Sequence, residues 1–267
     1  MVYVAHMTKI RAPSLRLALS EGGRGLAELT ALPFAAPMLL PMAPKGDGHP
    51  VLVLPGFIAG DTSTNILRRF LSGRGYKAYP WSLGSNFGHR TVGNKGEKIL
   101  EKLEEMYETY GEKVSLIGWS LGGIIAREMA RRQPDMVRQV ISLGSPFNGD
   151  IEATHPHRLY KVLTGHDPSA DHMEEVLQVR RDPPNGIPCT SIFTKGDGVV
   201  AWQNCLEEPH HLTDNIEVRA SHIGLGFNAA VFFAIADRLA LPHDDWRPFD
   251  RTDGIRSLIY PSSGHTY

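Results

Sequence analysis

Short β-branched apolar runs, several of them nearly continuous, alternate along the chain with longer stretches in which apolar residues recur every third or fourth position. The short runs cover residues 51–54, 76–81, 114–118, 139–143, 190–194 and 216–220. Near-continuous apolar character is what a strand covered on both faces requires. The longer stretches are clearest at 97–110, where Ile99, Leu103, Met106, Tyr107 and Tyr110 share one face and Glu and Lys fill the other. Residues 62–71, 121–132 and 228–241 read the same way. Each helix pattern follows a strand, and parallel neighbours need crossovers of about a dozen residues or more. The order predicts an α/β fold: a mostly parallel, doubly wound sheet with flanking helices, whose site lies in the loops at the carboxyl ends of the strands.

Residues 145–188 are too long for a plain crossover. They hold two short helical patterns, 158–163 and 171–180, between polar and Pro-rich ends. An insertion of this size after a mid-sheet strand reads as a small helical lid over the site rather than as a second domain. One domain over residues 1–267 with a lid at 145–188 is therefore expected. Periodicity is weak before residue 50 and after residue 242. Gly22, Gly23 and Gly25 weaken the helix suggested by 15–32. The longest apolar stretch, 32–44, is broken by Pro33, Pro37 and Pro41 and is too short to span a bilayer.

Composition narrows the partners. The 28 basic and 29 acidic side chains leave a formal charge of −1, with no basic cluster, which argues against nucleic acid. Cys189 and Cys205 are too few for a disulfide scaffold; a single bridge and a pair of buried free thiols both remain open. No charged start followed by an apolar run and small residues marks a signal peptide. A cytoplasmic protein without a transmembrane segment is expected, with contact between the N-terminal region and lipid or another chain as the alternative.

The chemistry enters at Gly118-Trp119-Ser120-Leu121-Gly122, a G-x-S-x-G motif with a strand pattern immediately before it and a helix pattern immediately after. Ser120 then sits on a strand-to-helix turn so tight that residues two positions either side must be glycine. The following helix aims its positive N-terminus at the same place. Between residues 51 and 241 the chain resembles the α/β-hydrolase superfamily, and within it the bacterial serine esterases and lipases. The resemblance implies a serine nucleophile, then an acid after a later strand, then a histidine after the last strand.

Asp197, in Lys195-Gly196-Asp197-Gly198 after the run 190–194, and His222, after the run 216–220, stand in that order. Asp150, after the preceding strand, is the fallback acid; Glu207 and Glu208 lie in a helix-like segment. His155, His157, His166 and His172 lack the spacing of a specific metal site and read as a solvated cluster lining the lid, so no metal and no cofactor is expected. Gly224-Leu225-Gly226-Phe227-Asn228-Ala229 imitates a dinucleotide-binding turn, but no parallel strand with an acidic end follows it.

By the same resemblance, the backbone N–H groups of Phe57, in Pro55-Gly56-Phe57 after the first strand, and of Leu121 form the oxyanion hole. Pro55 stands where the family usually has His, and Trp119 where many bacterial lipases have His, which leaves the subfamily open. Trp119, Phe147 and Trp202 are candidates for an apolar acyl pocket, and each could equally be core. The expected function is cleavage of carboxylic esters of small-molecule or lipid substrates through Ser120, His222 and Asp197. Acyl thioester cleavage, acyl transfer and a non-catalytic binding protein on the same fold are the alternatives.

Overall fold

The computed structural model describes residues 10–148, 182–242 and 245–261. Six strands, β1 (Pro50–Leu54), β2 (Lys77–Pro80), β3 (Val114–Trp119), β4 (Val137–Leu143), β5 (Cys189–Phe193) and β6 (Thr213–Glu217), form one sheet. Its order is β2-β1-β3-β4-β5-β6, and every neighbouring pair is parallel. The winding reverses between β1 and β3, where Leu54 pairs with Gly118. A crevice opens beyond the carboxyl ends of the strands at such a switch point.

Seven helices accompany the sheet among the described residues: α1 (Leu15–Leu39), α2 (Asn65–Gly73), α3 (His89–Val92), α4 (Glu97–Tyr110), α5 (Leu121–Arg132), α6 (Ala229–Leu239) and α7 (Arg256–Ile259). Strand alternation divides the core between the two faces of the sheet. Val51, Val53, Ile117 and Ile141 pack with Leu67 and Leu71 of α2 and Val231, Phe232 and Ile235 of α6. Leu52, Leu54, Leu116 and Val140 pack with Leu103 of α4 and Ile125, Ala126 and Met129 of α5.

Three expectations need correction. The last strand begins at Thr213, not at 216, and ends at Glu217. Thr213, Asp214 and Asn215 are polar residues ahead of the expected run, yet all three are buried and bonded by neighbouring segments. Thr213 Oγ1 donates to Glu208 O, Asp214 accepts from Arg251 Nη2 and the Phe249 N–H, and Asn215 Nδ2 donates to Glu207 O. The fourth strand starts two residues early, at Val137.

The third correction concerns α1, which runs unbroken for 25 residues through Gly22, Gly23, Pro33 and Pro37. Ser14 caps it, accepting from the Leu17 N–H at 3.4 Å. Both prolines are exposed, and each removes one N–H donor from the helix. Residues 15–42 are long and apolar enough to cross a membrane by length and composition alone. The predicted lid lies mostly outside the described residues, together with Asp150, His155, His157, His166 and His172.

Candidate active site

Strand β3 ends at Trp119 and α5 begins at Leu121, so Ser120 alone makes the turn. It takes φ 54° and ψ −119°, a conformation that residues with a side chain rarely adopt and that persists only when its surroundings over-determine it. The surroundings do so. The Ser120 N–H donates to Leu143 O at 2.8 Å. A Cβ on Gly118 would overlap the backbone of Gly122 and Gly123, and one on Gly122 would stand 2.5 Å from Leu54 O.

Asp197 and His222 meet on the neighbouring loops. Asp197 Oδ1 accepts the N–H groups of Val199 and Val200, each at 2.8 Å, which fixes the carboxylate. Its Oδ2 lies 2.7 Å from His222 Nδ1. A carboxylate only accepts, so Nδ1 carries the proton and Nε2 is left with its lone pair. Burial works to lower the pKa of His222, but the charge and hydrogen bond of Asp197, with the charge of Glu21, outweigh it and raise the value. The turn after β4 packs against this pair: a Cβ on Gly144 would come within 3.2 Å of His222 Nδ1 and 3.4 Å of Asp197 Oδ2. Leu143, which holds the Ser120 backbone, is its neighbour in the chain. Serine, histidine and aspartate are thus gathered round the ends of β3 to β6.

The loop after β1 completes the arrangement. A Cβ on Gly56 would stand 3.4 Å from Ser120 Cβ, so the backbone at Gly56, the residue before Phe57, runs alongside the serine. Leu121 heads α5, where the first N–H groups have no partner within the helix. Asn86, which no local pattern singled out, braces this loop. Fully buried, it donates through Nδ2 to Pro55 O at 2.8 Å, while its backbone exchanges bonds with Ile58 and Ala59. Between them Ile58 is held at φ 58°, an outlier for a β-branched residue.

The three apolar candidates take structural contacts. Trp119 donates its indole N–H to His222 O at 3.2 Å and meets Phe227 edge to face. Phe147 is buried beneath the guanidinium of Arg127, 3.9 Å from its ring centroid. Trp202 stacks on Phe193. Gly224–Gly226 is a single 3-10 turn beside His222, and Asn228 caps α6 by accepting from the Ala230 N–H. Cys189 and Cys205 are buried free thiols. No cluster of three or more metal-ligating side chains occurs among the described residues.

A second group missed in the sequence comes from α1. Glu21, Arg24 and Glu28 turn inward onto the loops that carry Asp197 and His222. The weak periodicity of the N-terminal segment hid them, because here the polar residues face the protein and the apolar ones face outward.

The model of the PGAP1-like alpha/beta domain family matches residues 92–168. Triacylglycerol lipases of Pseudarthrobacter phenanthrenivorans and Burkholderia plantarii are each 28% identical over 108 residues, 38% of this chain, and the match covers 34% and 30% of those proteins. The chain thus matches about a third of the length of these curated relatives. A mouse phosphatidylcholine-sterol acyltransferase is 40% identical over 62 residues, 21% of this chain and 14% of that protein. Among solved structures, a Bacillus licheniformis lipase in its mature form superposes with a TM-score of 0.53 at 17% identity, covering 75% of this chain and 95% of the other. A pyrethroid hydrolase superposes with a TM-score of 0.54 at 20% identity, covering 73% and 99%. At such identities the structural likeness is one of fold: the chain has an α/β-hydrolase fold and resembles the esterases and lipases built on it.

Proposed function

We propose that this protein is a serine hydrolase that cleaves carboxylic esters with an apolar acyl chain, using Ser120 as nucleophile, His222 as general base and acid, and Asp197 to orient it. The observation that carries this reading is the 2.7 Å contact between His222 Nδ1 and Asp197 Oδ2 beside a serine forced to φ 54°. His222 Nε2 takes the hydroxyl proton as Ser120 Oγ attacks the carbonyl carbon, and the carbonyl electron pair moves to oxygen. The Phe57 and Leu121 N–H groups receive that oxyanion. Its collapse reforms the carbonyl, breaks the bond to the alcohol oxygen and returns the proton to it from His222. Water then repeats the sequence on the acyl-enzyme and releases the acid.

A fluorophosphonate that labels Ser120 in the folded protein supports this mechanism, and absence of labelling favours a non-catalytic binding protein. Ser120→Ala should lower kcat by about 10⁵ to 10⁶; activity within tenfold of the parent overturns the assignment. A series of acyl esters and thioesters of graded chain length tests the substrate class. Acyl transfer to an alcohol is the second reading, favoured by the stretch 40% identical to the mouse acyltransferase; the ratio of transfer to hydrolysis with an added alcohol separates the two.

The outward face of α1 supports peripheral contact with lipid, since Leu19, Phe34 and Met38 are 87%, 78% and 76% exposed. Arg16 is the one charged residue among the exposed positions from 15 to 38. Co-sedimentation with vesicles, lost on changing these three residues to Ser, is the expected outcome. Two unbridged thiols fit a reducing compartment, which supports a cytoplasmic location.

A further inference from the structure

Helix α1 is amphipathic in the reverse sense. Glu21 and Glu28, two turns apart on its inner face, accept hydrogen bonds from backbone N–H groups of the two loops that carry Asp197 and His222. Glu21 Oε1 takes Gly198 N–H at 2.7 Å and His222 N–H at 3.2 Å, and Oε2 takes Ile223 N–H at 3.2 Å. Glu28 Oε1 takes Ser221 N–H at 2.7 Å. Arg24 lies between them, donating to Gly196 O at 2.6 Å and to Glu21 Oε1 at 2.7 Å. Helix and acid loop touch so closely that a Cβ on Gly198 would overlap the Leu17 carbonyl.

One buried carboxylate therefore bridges the neighbour of the acid, the backbone of the histidine and the residue after it. Asp197 and His222 lie 25 positions apart on separate strand ends. Thr194 Oγ1 ties the bases of the two loops by donating to Ala220 O at 2.8 Å, and Glu21 bonds to both loops further along, at Gly198 and at His222 itself.

We propose that Glu21 is a positioning residue for ester cleavage, tying the Asp197 and His222 loops together so that the imidazole stays aligned between Asp197 and Ser120. This rests on the triad assignment above. A hydrogen bond from a backbone N–H to a carboxylate is charge-assisted and stronger than a neutral one, so three of them on one side chain make a stiff joint. The charge of Glu21 also acts on the imidazolium that forms during the reaction. The charged groups facing His222 are Asp197 from the loop after β5 and Glu21 from α1, with Arg24 and Glu28 at the flanking backbone. Glu21 and Asp197 both favour the protonated ring.

The test compares the full chain with Glu21→Gln and Glu21→Ala, with Glu101→Gln on the exposed side of α4 as the control. Glu21→Ala should lower kcat by about 10²-fold, as a misplacement on the order of 1 Å does, with KM little changed. Glu21→Gln keeps an acceptor but loses the charge, so it should recover part of kcat while the acid side of its kcat/KM profile shifts to lower pH. A merely structural role would leave that limb where it is. Wild-type protein that labels at Ser120, together with a Glu21→Gln variant whose rate and pH profile match the parent, overturns the role of Glu21 alone. A wild type that does not label removes the triad itself. Should the variants fail to fold, amide hydrogen exchange on the wild type decides: slow exchange at Gly198, His222 and Ile223 supports the joint, and exchange at solvent-exposed rates overturns it.

Discussion

The indole N–H of Trp119 donates to the main-chain carbonyl of His222 at 3.2 Å, so the residue before the proposed nucleophile holds the backbone of the residue proposed as its base. Trp119→Phe keeps the ring packing against Phe227 and removes the donor. The buried carbonyl loses its partner, which should cost about 1–3 kcal/mol in urea unfolding. The freed loop should lower kcat between about tenfold and 10²-fold. Unchanged kcat would show that the contact does not set the position of the ring.

The direction of the His222 shift fixes the pH profile. To act as the proposed general base His222 must be neutral, and its pKa is raised above 6.5. Activity is then lost as pH falls through that raised value, and the acid-side half-point of kcat/KM should lie above 6.5. Asp197→Asn removes the largest raising influence. It should move the half-point down and reduce kcat by about 10⁴. For stability the sign is opposite: the protonated ring favours the folded state, so this contribution is present below pH 6.5 and lost as pH rises through the folded value.

Asn86 offers a test of the proposed oxyanion loop. Asn86→Ala removes the bond to Pro55 O and the brace beside the strained Ile58. Displacing one oxyanion donor should cost about 10²–10³ in kcat at most, with binding of a ground-state ester less affected. Equal losses in kcat and ester affinity would place Asn86 outside the oxyanion loop's function.

At the opposite end of the sheet His49, fully buried, bridges Asp47 and Ser115 at 2.5 and 2.8 Å. Burial and the nearby Arg138 lower its pKa. The unfolded chain takes up the proton first, so this contribution to stability is whole above pH 6.5 and lost as pH falls toward the folded value. Asp47 is held at about 2 by His49 and Arg138 against the effect of burial, and its contribution is lost only between 3.8 and about 2. His49→Gln should unfold at midpoints that differ less between pH 8 and pH 5 than those of the parent. Equal differences would remove His49 as the source.

Arg127 and Glu207 form an ion pair in which both side chains are 1% exposed. Burial pushes Glu207 up to about 6 against the charge of Arg127. Arg127→Met should cost about 3–5 kcal/mol at pH 8, because it strands a buried charge, and the double change with Glu207→Leu should recover most of it. The single-variant loss should shrink at pH 5, where Glu207 accepts a proton.

Local chemistry determined the order of strands and helices and the elbow at Ser120, because apolar period, glycine spacing and chain order are all written in neighbouring residues. Helices 97–110 and 121–132 match the pattern residue for residue for this reason. Contacts between distant segments decided the rest. Asp214 is accommodated in a buried strand by Phe249 and Arg251, 35 and 37 positions away, and Phe147 lies in the core beneath Arg127. Asn86 and Glu21 sit 31 and 177 positions from the backbone groups they hold, at Pro55 and Gly198. A carboxylate on a helix with glycines and prolines carries no local sign of what it will bind. Its role exists only once the fold lays α1 across the ends of β5 and β6.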